Sequence, residues 1–354
     1  MDGLLLFGTN NVTYATGART PAMDSGRAGL MGPAAAVVRG ASVPHLYTPY
    51  PEGAPPAGEV ELHPSPDSLI GLFGSGQRVG VDEIPTSLRG AGDLEIVSAA
   101  TVLGPAKIIK TDDELACIRE AQRINEVAMG DVQALLRPGR RPLELTGMFL
   151  RRIHELGATA NGIDPIWQVM PRAGPWNFRG DIAFPTPTTD GVLNEGDVIW
   201  VDTGISYHGY ASDFGRTWIV AAADPQPTAR QRAQFERWRS VMDAVLALCR
   251  PGVSAAELDR AAIAANDGVR PWIGHFYLAH SVGTDSAEPP LIGTDLGEPF
   301  DESLILAPGM VLVLEPVIWD EGAAGYRSED IVAITDDGWR PLSDYPYDPF
   351  GPCP

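Results

Sequence analysis

Short apolar runs broken by glycine, proline and asparagine characterise the first hundred residues. The pattern predicts strands at GLLLFG (3–8), NVTYATG (11–17), PAAAVVRG (33–40), PHLYTP (44–49) and RVGVDEIP (78–85). DSLIGLFGSG (67–76) is typical of a short helix, and TGARTPAMDSGRAGLMGP (16–33) of a loop. These elements predict a small α/β domain over residues 1–110.

The pattern changes to helical spacing at residue 111, where a second domain over 111–354 is predicted. Thr111 is a plausible N-cap with Glu114 three residues later, the arrangement of a capping box. Apolar residues then recur every three or four positions. Further amphipathic helices are predicted at 142–157, 229–252 and 254–267, and a loop rich in proline, glycine and tryptophan is expected to run to residue 190.

Composition and charge exclude several classes of protein. The chain of 354 residues is 44% hydrophobic and carries a formal net charge of −20, which argues against nucleic acid or an anionic membrane as a partner. Cys117, Cys249 and Cys353 lie far apart and form no disulfide framework or zinc-thiolate motif. No signal peptide or membrane-length apolar run is recognisable, so we predict a cytoplasmic location.

Four acidic residues interrupt apolar strands in two predicted hairpins. In DVIWVDTGISYHGYASDFGRT (197–217), a turn over residues 206–209 places Asp202 opposite Asp213. In MVLVLEPVIWDEGAAGYRSED (310–330), a turn near residue 322 places Glu315 opposite Glu329. Opposed side chains share one face of a hairpin, and buried like charges repel. One such pair is compatible with a salt bridge, but two pairs favour a cation of charge two or more.

His280, in FYLAHSVG, is a fifth candidate ligand. It follows an apolar stretch, where a lone histidine is more often a hydrogen-bonded core residue. Together with four carboxylates, however, an imidazole suits paired divalent ions of manganese, iron, cobalt or zinc. Calcium fits less well, because the sequence contains no EF-hand loop.

The order and context of these five residues resemble the pita-bread metallopeptidase family of methionine aminopeptidase, Xaa-Pro aminopeptidase, prolidase and creatinase. The matching phrases are VDTGISYHGYASDFGRT, AHSVG with EPP downstream, MVLVLEPVI and YRSEDIVAITDDG. The resemblance implies an α/β (α+β) fold: a C-terminal pita-bread domain with pseudo-two-fold symmetry, preceded by a smaller creatinase-like N-terminal α/β domain. It also implies a homodimer and two divalent metal ions, manganese first, bridged by a water or hydroxide.

Roles for the ligands follow from the same resemblance. Asp213 and Glu329 would bridge both ions, Asp202 would complete one, and His280 with Glu315 the other. Glu315 is further expected to pass protons to the leaving amine.

The sequence departs from the family's peptidases at two auxiliary histidine positions. The position seven residues after His280 is Ala287, and the second falls by count at Phe184. Residues considered as replacements, beside their ordinary surface or packing roles, are His208, His275, Tyr210 and Arg327. Trp176 is expected to line the site.

Three functions are compatible with this pattern. The first is hydrolysis of a peptide or peptide-like amide by an enzyme of the Xaa-Pro aminopeptidase or prolidase kind. The second retains fold and metals but acts on a small non-peptide molecule, as an amidohydrolase or a lyase, and the missing histidines favour it. The third, a non-catalytic binding protein, would have eroded ligands, yet all five are present.

Overall fold

The computed structural model describes residues 1–21, 25–83, 92–170, 191–223, 225–274, 276–320 and 324–346. The chain divides into two compact units, Met1–Lys107 and Ile108–Pro354. Each unit has its own sheets and its own hydrophobic clusters. Within the described residues, no helix has both the length and the hydropathy needed to cross a membrane.

The N-terminal unit is built on a six-stranded sheet with the order β4-β3-β2-β1-β5-β6. Leu5, Leu6 and Leu46 have no solvent exposure and lie at its centre. Helices and a short 3-10 turn connect the strands. The elements are β1 Gly3–Leu6, α1 Thr9–Thr16, α2 Ser25–Met31, β2 Ala34–Val38, β3 His45–Tyr47, the 3-10 turn Pro51–Gly53, β4 Glu61–Leu62, α3 Pro66–Ile70, β5 Arg78–Val81, β6 Glu95–Ser98 and α4 Ala100–Ile108.

Two predictions for this unit were wrong. NVTYATG was predicted to be a strand but forms most of α1, which ends at Gly17 in the left-handed conformation. Its β-branched residues bury Val12, Thr13 and Thr16 on one helix face, so tertiary packing outweighs their strand propensity. The predicted loop 16–33 contains α2. The strands at 34–38, 45–47 and 78–81 agree with the prediction.

The helices of the C-terminal unit agree closely with the apolar periodicity. Thr111 caps α5 as predicted, because its side chain accepts from the Glu114 amide while the Glu114 carboxylate accepts from the Thr111 amide. The buried face of α5 includes Leu115, Ile118 and Ile124. The helices are α5 Asp112–Gln133, α6 Pro142–Glu155, α7 Ala229–Leu246, α8 Ala255–Ala265 and α9 Glu298–Ser303.

The strands of the C-terminal unit form one sheet around β8, a five-stranded sheet with the order β12-β11-β13-β16-β17, and the pair β14-β15. Their bounds are β7 Ala160–Val169, β8 Val198–Tyr207, β9 Tyr210–Ala211, β10 Phe214–Ile219, β11 Ala279–Ser281, β12 Glu288–Ile292, β13 Val311–Leu314, β14 Val317–Trp319, β15 Gly325–Arg327, β16 Asp330–Ile334 and β17 Trp339–Pro341.

Strand β7 lies where the sequence predicted a loop. Pro165 within it disfavours a central strand, since proline donates no ladder hydrogen bond. Among the described strands β7 pairs only with β8, and its register shifts between Asn161 and Ile163 and between Ile163 and Ile166. Edge position and irregular pairing therefore accommodate the proline.

The register of the first hairpin differs from the prediction by two residues. Asp202 lies opposite Gly215, and Ser206 lies opposite Ala211. The turn consists of His208 and Gly209, both with positive φ, so it is a two-residue turn that begins later than predicted. A shift of two residues keeps Asp202 and Asp213 on the same face.

The second hairpin has the predicted register. Leu314 lies opposite Asp330 and Val317 opposite Arg327, which places Glu315 opposite Glu329 between the two ladders. Both residues lie at breaks in regular pairing, immediately after β13 and immediately before β16. Their side chains thus leave the strand ends at one place.

Candidate metal centre

Four carboxylates converge in the C-terminal unit. Ligand oxygens of Asp202, Asp213 and Glu329 lie within 4.8 Å of one another, an arrangement that can hold a metal ion. Glu315 belongs to the same cluster through His280 and Arg327, which both contact it. Asp213, Glu315 and Glu329 are buried, whereas the side chain of Asp202 is 16% exposed. The cluster is thus nearly closed, with its remaining exposure at Asp202.

Backbone hydrogen bonds join the strand ends that carry these side chains. The Glu329 amide donates to the Gly215 carbonyl at 2.9 Å, which links the second hairpin to the first. The Glu315 amide donates to the Leu278 carbonyl at 3.1 Å, which links it to the strand of His280. The site is therefore built on sheet backbone, which holds ligands more accurately than loops do.

His280 points into the carboxylates from β11. Its Nε2 lies 3.1 Å from Asp213 Oδ2 and 3.6 Å from Glu315 Oε1. Its Nδ1 lies 3.0 Å from the Ser281 carbonyl oxygen, and we assign the donating proton to Nδ1 from this contact. That tautomer leaves the Nε2 lone pair directed at the cluster, as in metal-bound histidines.

Gly215 gives the Glu329 carboxylate the space that it occupies. A Cβ atom built at Gly215 would lie 2.3 Å from Glu329 Cδ, far inside van der Waals contact. Only glycine permits this approach of carboxylate to backbone. Gly215, which lies opposite Asp202, is therefore part of the site because it has no side chain.

Arg327 brings a positive charge into contact with the carboxylates. Its guanidinium makes ion pairs with Glu315 and Glu329 and lies 3.5 Å from Asp202 Oδ2. The group also stacks on the Trp200 ring, with Cζ 4.0 Å from the ring centroid. One guanidinium leaves most of the charge of four carboxylates unbalanced.

Burial raises the pKa of all four carboxyl groups. For Asp213 and Glu329 the pKa is raised well above the ordinary value, first by loss of hydration and then by the neighbouring carboxylates acting against the attraction of Arg327. The pKa of Asp202 and Glu315 is raised by burial too, although Arg327 and His280 oppose the shift. A divalent cation would remove the repulsion that causes part of these shifts.

The donor atoms fit divalent metal. Among the residues that the structure describes, Asp202 Oδ1, Asp213 Oδ1 and Glu329 Oε2 are buried without a hydrogen-bond partner. Buried carboxylate oxygens without partners are costly and therefore rare in folded proteins. An oxygen-rich set with one imidazole suits manganese, iron, cobalt or zinc.

Two polar residues of α5 support the site and were not recognised in the sequence. The Gln122 side-chain oxygen accepts from the Asp213 amide at 3.2 Å. Asn125 Nδ2 donates at 3.0 Å to the Thr203 carbonyl and to Ser212 Oγ. The sequence does contain an indication of these two residues, since both are polar positions on the apolar face of a long amphipathic helix.

Tyr277 is a further residue of the site that the sequence pattern did not indicate. Its ring centroid lies 4.9 Å from that of His280, and its side chain is half-buried. Burial, followed by the charges of Glu315 and Asp213, raises the pKa of its phenol, so the hydroxyl keeps its proton at neutral pH. Tyr277 thus lies beside the cluster with a protonated phenol.

The other predicted site residues lie away from the carboxylates or outside the described residues. His208 is exposed at the hairpin turn, six residues along β8 from Asp202, or about 20 Å at the rise of a strand. The Tyr210 hydroxyl contacts Glu114 at 3.3 Å. Ala287 is exposed, immediately before β12. Trp176, Phe184 and His275 are outside the described residues.

Comparison with known proteins identifies the family. The profile of metallopeptidase family M24 matches residues 116–336, which is more than half of the chain and includes all five candidate ligands. This chain belongs to metallopeptidase family M24. The predicted resemblance to the pita-bread metallopeptidases and the prediction of a metallopeptidase-type enzyme are thereby confirmed.

Curated relatives of this M24 chain include peptidases of short substrates. It is 30% identical over 258 residues to the probable dipeptidase PepE of Mycobacterium tuberculosis, covering 71% of this chain and 63% of the relative. It is 29% identical over 245 residues to the Xaa-Pro dipeptidase of Pyrococcus furiosus, covering 68% and 65%. The chain thus matches somewhat less than two thirds of the length of each relative.

Solved structures show the same fold over nearly the whole chain. The prolidase from Pyrococcus furiosus superposes with a TM-score of 0.76 at 24% identity, covering 98% of this chain and 97% of the prolidase. At this identity the likeness concerns the fold alone. The predicted α/β class and pita-bread fold are confirmed.

Proposed function

We propose that this M24 protein hydrolyses the amide bond of short peptides, with Xaa-Pro peptides as the first candidates, at a centre of two divalent metal ions. The single observation that carries the proposal is the cluster of four carboxylates and His280, in which oxygens of Asp202, Asp213 and Glu329 are buried with no hydrogen-bond partner among the described residues. Membership of family M24 and the dipeptidase names of its relatives support the same conclusion.

The five residues would hold the two ions in the manner that the sequence resemblance implies. The family resemblance implies that Asp213 and Glu329 would hold both ions, and their ligand oxygens lie within 4.8 Å of each other and of Asp202. Asp202 would complete one site, and His280 with Glu315 the other. Bound there, the ions supply an activated water and a Lewis acid for the scissile carbonyl.

The remaining chemistry belongs to residues of the chain. Glu315 is the proposed proton carrier to the leaving amine, as the family resemblance implies for this position, and its buried carboxylate contacts His280 and Arg327. Tyr277 is the proposed donor to the oxygen that gains charge, a role that the sequence left open when it placed Ala287 at the family's histidine position. Arg327 holds Asp202 and Glu315 in place through its guanidinium.

Peptide cleavage is tested by mass spectrometry of products. Manganese-loaded protein is incubated with Xaa-Pro dipeptides and with longer peptides that begin Xaa-Pro, and the Asp213→Asn variant serves as blank. We expect cleavage that disappears in the blank, and the preferred length separates a dipeptidase from an aminopeptidase. Absence of cleavage by protein with two bound metal ions would refute the peptidase.

The role of Tyr277 is tested by Tyr277→Phe, with Tyr210→Phe as the matched control because its hydroxyl contacts Glu114 outside the cluster. We expect kcat to fall about 10²-fold in Tyr277→Phe with metal content and KM nearly unchanged. Equal activity of the two variants would remove Tyr277 from the mechanism.

A second function is favoured by one observation. Ala287 is exposed and carries no donor at the position where the family's peptidases have a histidine. An M24 protein without that donor is suited to a small non-peptide substrate, as an amidohydrolase or a lyase. Metal-dependent turnover of small amides, without peptide cleavage, would identify it.

The choice of manganese, the homodimer and the cytoplasmic location remain predictions. Metal analysis of protein purified without added metal tests the first of them. Sedimentation at several protein concentrations tests the second. Each measurement is independent of the activity assay.

A further inference from the structure

A second cluster of metal-ligating side chains lies in the N-terminal unit, and it uses none of the residues described above. His45, Glu61 and His63 each offer one donor atom, and these atoms lie within 4.8 Å of one another. We propose that this cluster binds one divalent transition-metal ion of the zinc class.

Strand pairing brings the three residues together. Strands β3 and β4 are parallel, with His45 directly opposite Glu61 and Leu46 opposite Leu62. The pairing continues past β4, because the His63 amide donates to the Leu46 carbonyl at 2.8 Å. Residues 61 and 63 point to the same face of an extended chain, which is the face of His45. Sheet backbone thus fixes the cluster.

The distances between donor atoms match the edges of a metal tetrahedron. His45 Nδ1 lies 3.1 Å from His63 Nε2 and 3.4 Å from Glu61 Oε2, and His63 Nε2 lies 3.8 Å from Glu61 Oε1. Zinc–ligand bonds of roughly 2.0–2.2 Å in tetrahedral geometry give ligand–ligand distances of about 3.3–3.6 Å. Small rotations of the side chains are sufficient for all three donors to reach one ion.

Hydrogen bonds alone cannot satisfy all of these ligand atoms at once. His45 Nδ1 faces both the His63 ring nitrogen and the Glu61 carboxylate, but a neutral imidazole carries one proton on one of its two nitrogens. A metal ion accepts lone pairs from all three groups at once. Two imidazoles with one carboxylate suit zinc, cobalt, nickel or iron(II), and suit calcium and magnesium poorly.

The cluster is partly exposed to solvent, so a metal ion can reach it. The side chains of His45 and His63 are each 11% exposed, and that of Glu61 is 61% exposed. The imidazoles are therefore positioned by packing while the carboxylate side faces water, which leaves coordination positions for solvent. The net charge of −20 also attracts cations to the protein.

The bound ion would stabilise the edge of the sheet. Strand β4 has two residues, lies at the edge and pairs only with β3 among the described strands. An ion held by His45 on one side and by Glu61 and His63 on the other cross-links these strands. Its binding energy adds to the stability of the N-terminal unit.

The test counts zinc in the full chain with the other centre disabled. In the Asp213→Asn/Glu329→Gln background, we expect one zinc per chain after desalting, measured by plasma mass spectrometry. Adding His63→Gln should remove this zinc and weaken affinity at least about a hundredfold in a competition titration with a chromophoric chelator. The matched control is His154→Gln, an exposed histidine of α6 outside both clusters.

The outcomes are distinguishable. Loss of zinc in His63→Gln and Glu61→Gln, with retention in His154→Gln, supports the site. Equal zinc in His63→Gln and His154→Gln, or no zinc in the background protein, overturns it. If the background variant does not fold by circular dichroism, the same substitutions are compared in the unmodified chain, where loss of one equivalent supports the site and an unchanged content overturns it.

Discussion

The two clusters of metal-ligating side chains differ chiefly in burial. In the C-terminal unit, Asp213, Glu315 and Glu329 are almost completely buried, and their oxygens lack enough donors. In the N-terminal unit, the Glu61 side chain is mostly exposed, so its carboxylate is accessible to water. A buried cluster depends on cations for its stability, whereas an edge cluster can remain folded without one. The predictions below test this difference, beginning with the largest effect.

Removal of the buried cation should have the largest effect. Arg327→Met leaves Glu315, Glu329 and Asp202 without their guanidinium partner, and breaking a buried pair in this way costs about 3–5 kcal/mol. We expect this loss in chelated protein and a smaller loss in metal-loaded protein, measured by urea unfolding. The control is Arg237→Met, whose partly exposed pair with Asp320 should contribute less than about 1 kcal/mol. Equal losses of unfolding free energy with and without metal would contradict the idea that Arg327 and the metal ions both balance the charge of the carboxylates.

Filling the space at Gly215 should have an intermediate effect. In Gly215→Ala the new methyl group collides with the Glu329 carboxylate, which should cost about 1–3 kcal/mol and lower metal affinity about 10–100-fold. Gly147→Ala in α6 is the matched control, because no neighbouring atom lies within 4 Å of the new Cβ. Calorimetry and metal titration provide the readouts. Normal metal affinity in Gly215→Ala would show that Glu329 is not a ligand.

The pH dependence of stability should change sign with metal. Burial raises the pKa of Asp213 and Glu329 well above the ordinary carboxyl value of about 4, so these groups bind protons more tightly in the folded chelated protein. Their contribution is complete below the unfolded-state pKa and is lost as pH rises through the folded-state pKa.

We therefore expect Tm of chelated protein to fall as pH rises from the ordinary carboxyl range towards neutrality. Metal requires deprotonated ligands, so excess manganese should reverse the trend. The Asp213→Asn/Glu329→Gln variant should show a weaker dependence in chelator. Parallel curves of Tm against pH with and without metal, measured by calorimetry, would exclude a coupling between metal binding and protonation of these carboxylates.

The cluster of His45, Glu61 and His63 at the edge of the N-terminal sheet should give the smallest effect. Glu61→Gln in metal-free protein removes an exposed carboxylate, and we expect the free energy of unfolding to change by less than about 1 kcal/mol. With zinc present, the unmodified chain should be the more stable of the two. A large destabilisation in metal-free Glu61→Gln would mean that burial does not explain how strongly the stability of each cluster depends on cations.

Several features were determined by the sequence because they depend on neighbours along the chain. The capping box at Thr111 and Glu114 needs only four residues, and the apolar spacing of α5 follows from the helical period. Carboxylates inside apolar strands drew attention to Asp202, Asp213, Glu315 and Glu329. The register of the second hairpin was also predictable, because one turn near residue 322 fixes the pairing of both of its ladders without a shift.

Other features were decided by tertiary structure alone. The register of the first hairpin depends on positive φ at His208 and Gly209, and α1 forms despite its β-branched residues because Val12 and Thr13 pack inward. The contact of Arg327 with three carboxylates requires strands from both hairpins.

The His45, Glu61 and His63 cluster shows the same limit of the sequence. Its residues are up to 18 positions apart, and parallel pairing of β3 and β4 places them side by side. Local pattern determines which elements form and which face is apolar, because those energies come from neighbours in sequence. Which polar groups meet inside the fold depends on pairing between distant strands, and the sequence pattern does not encode that pairing locally.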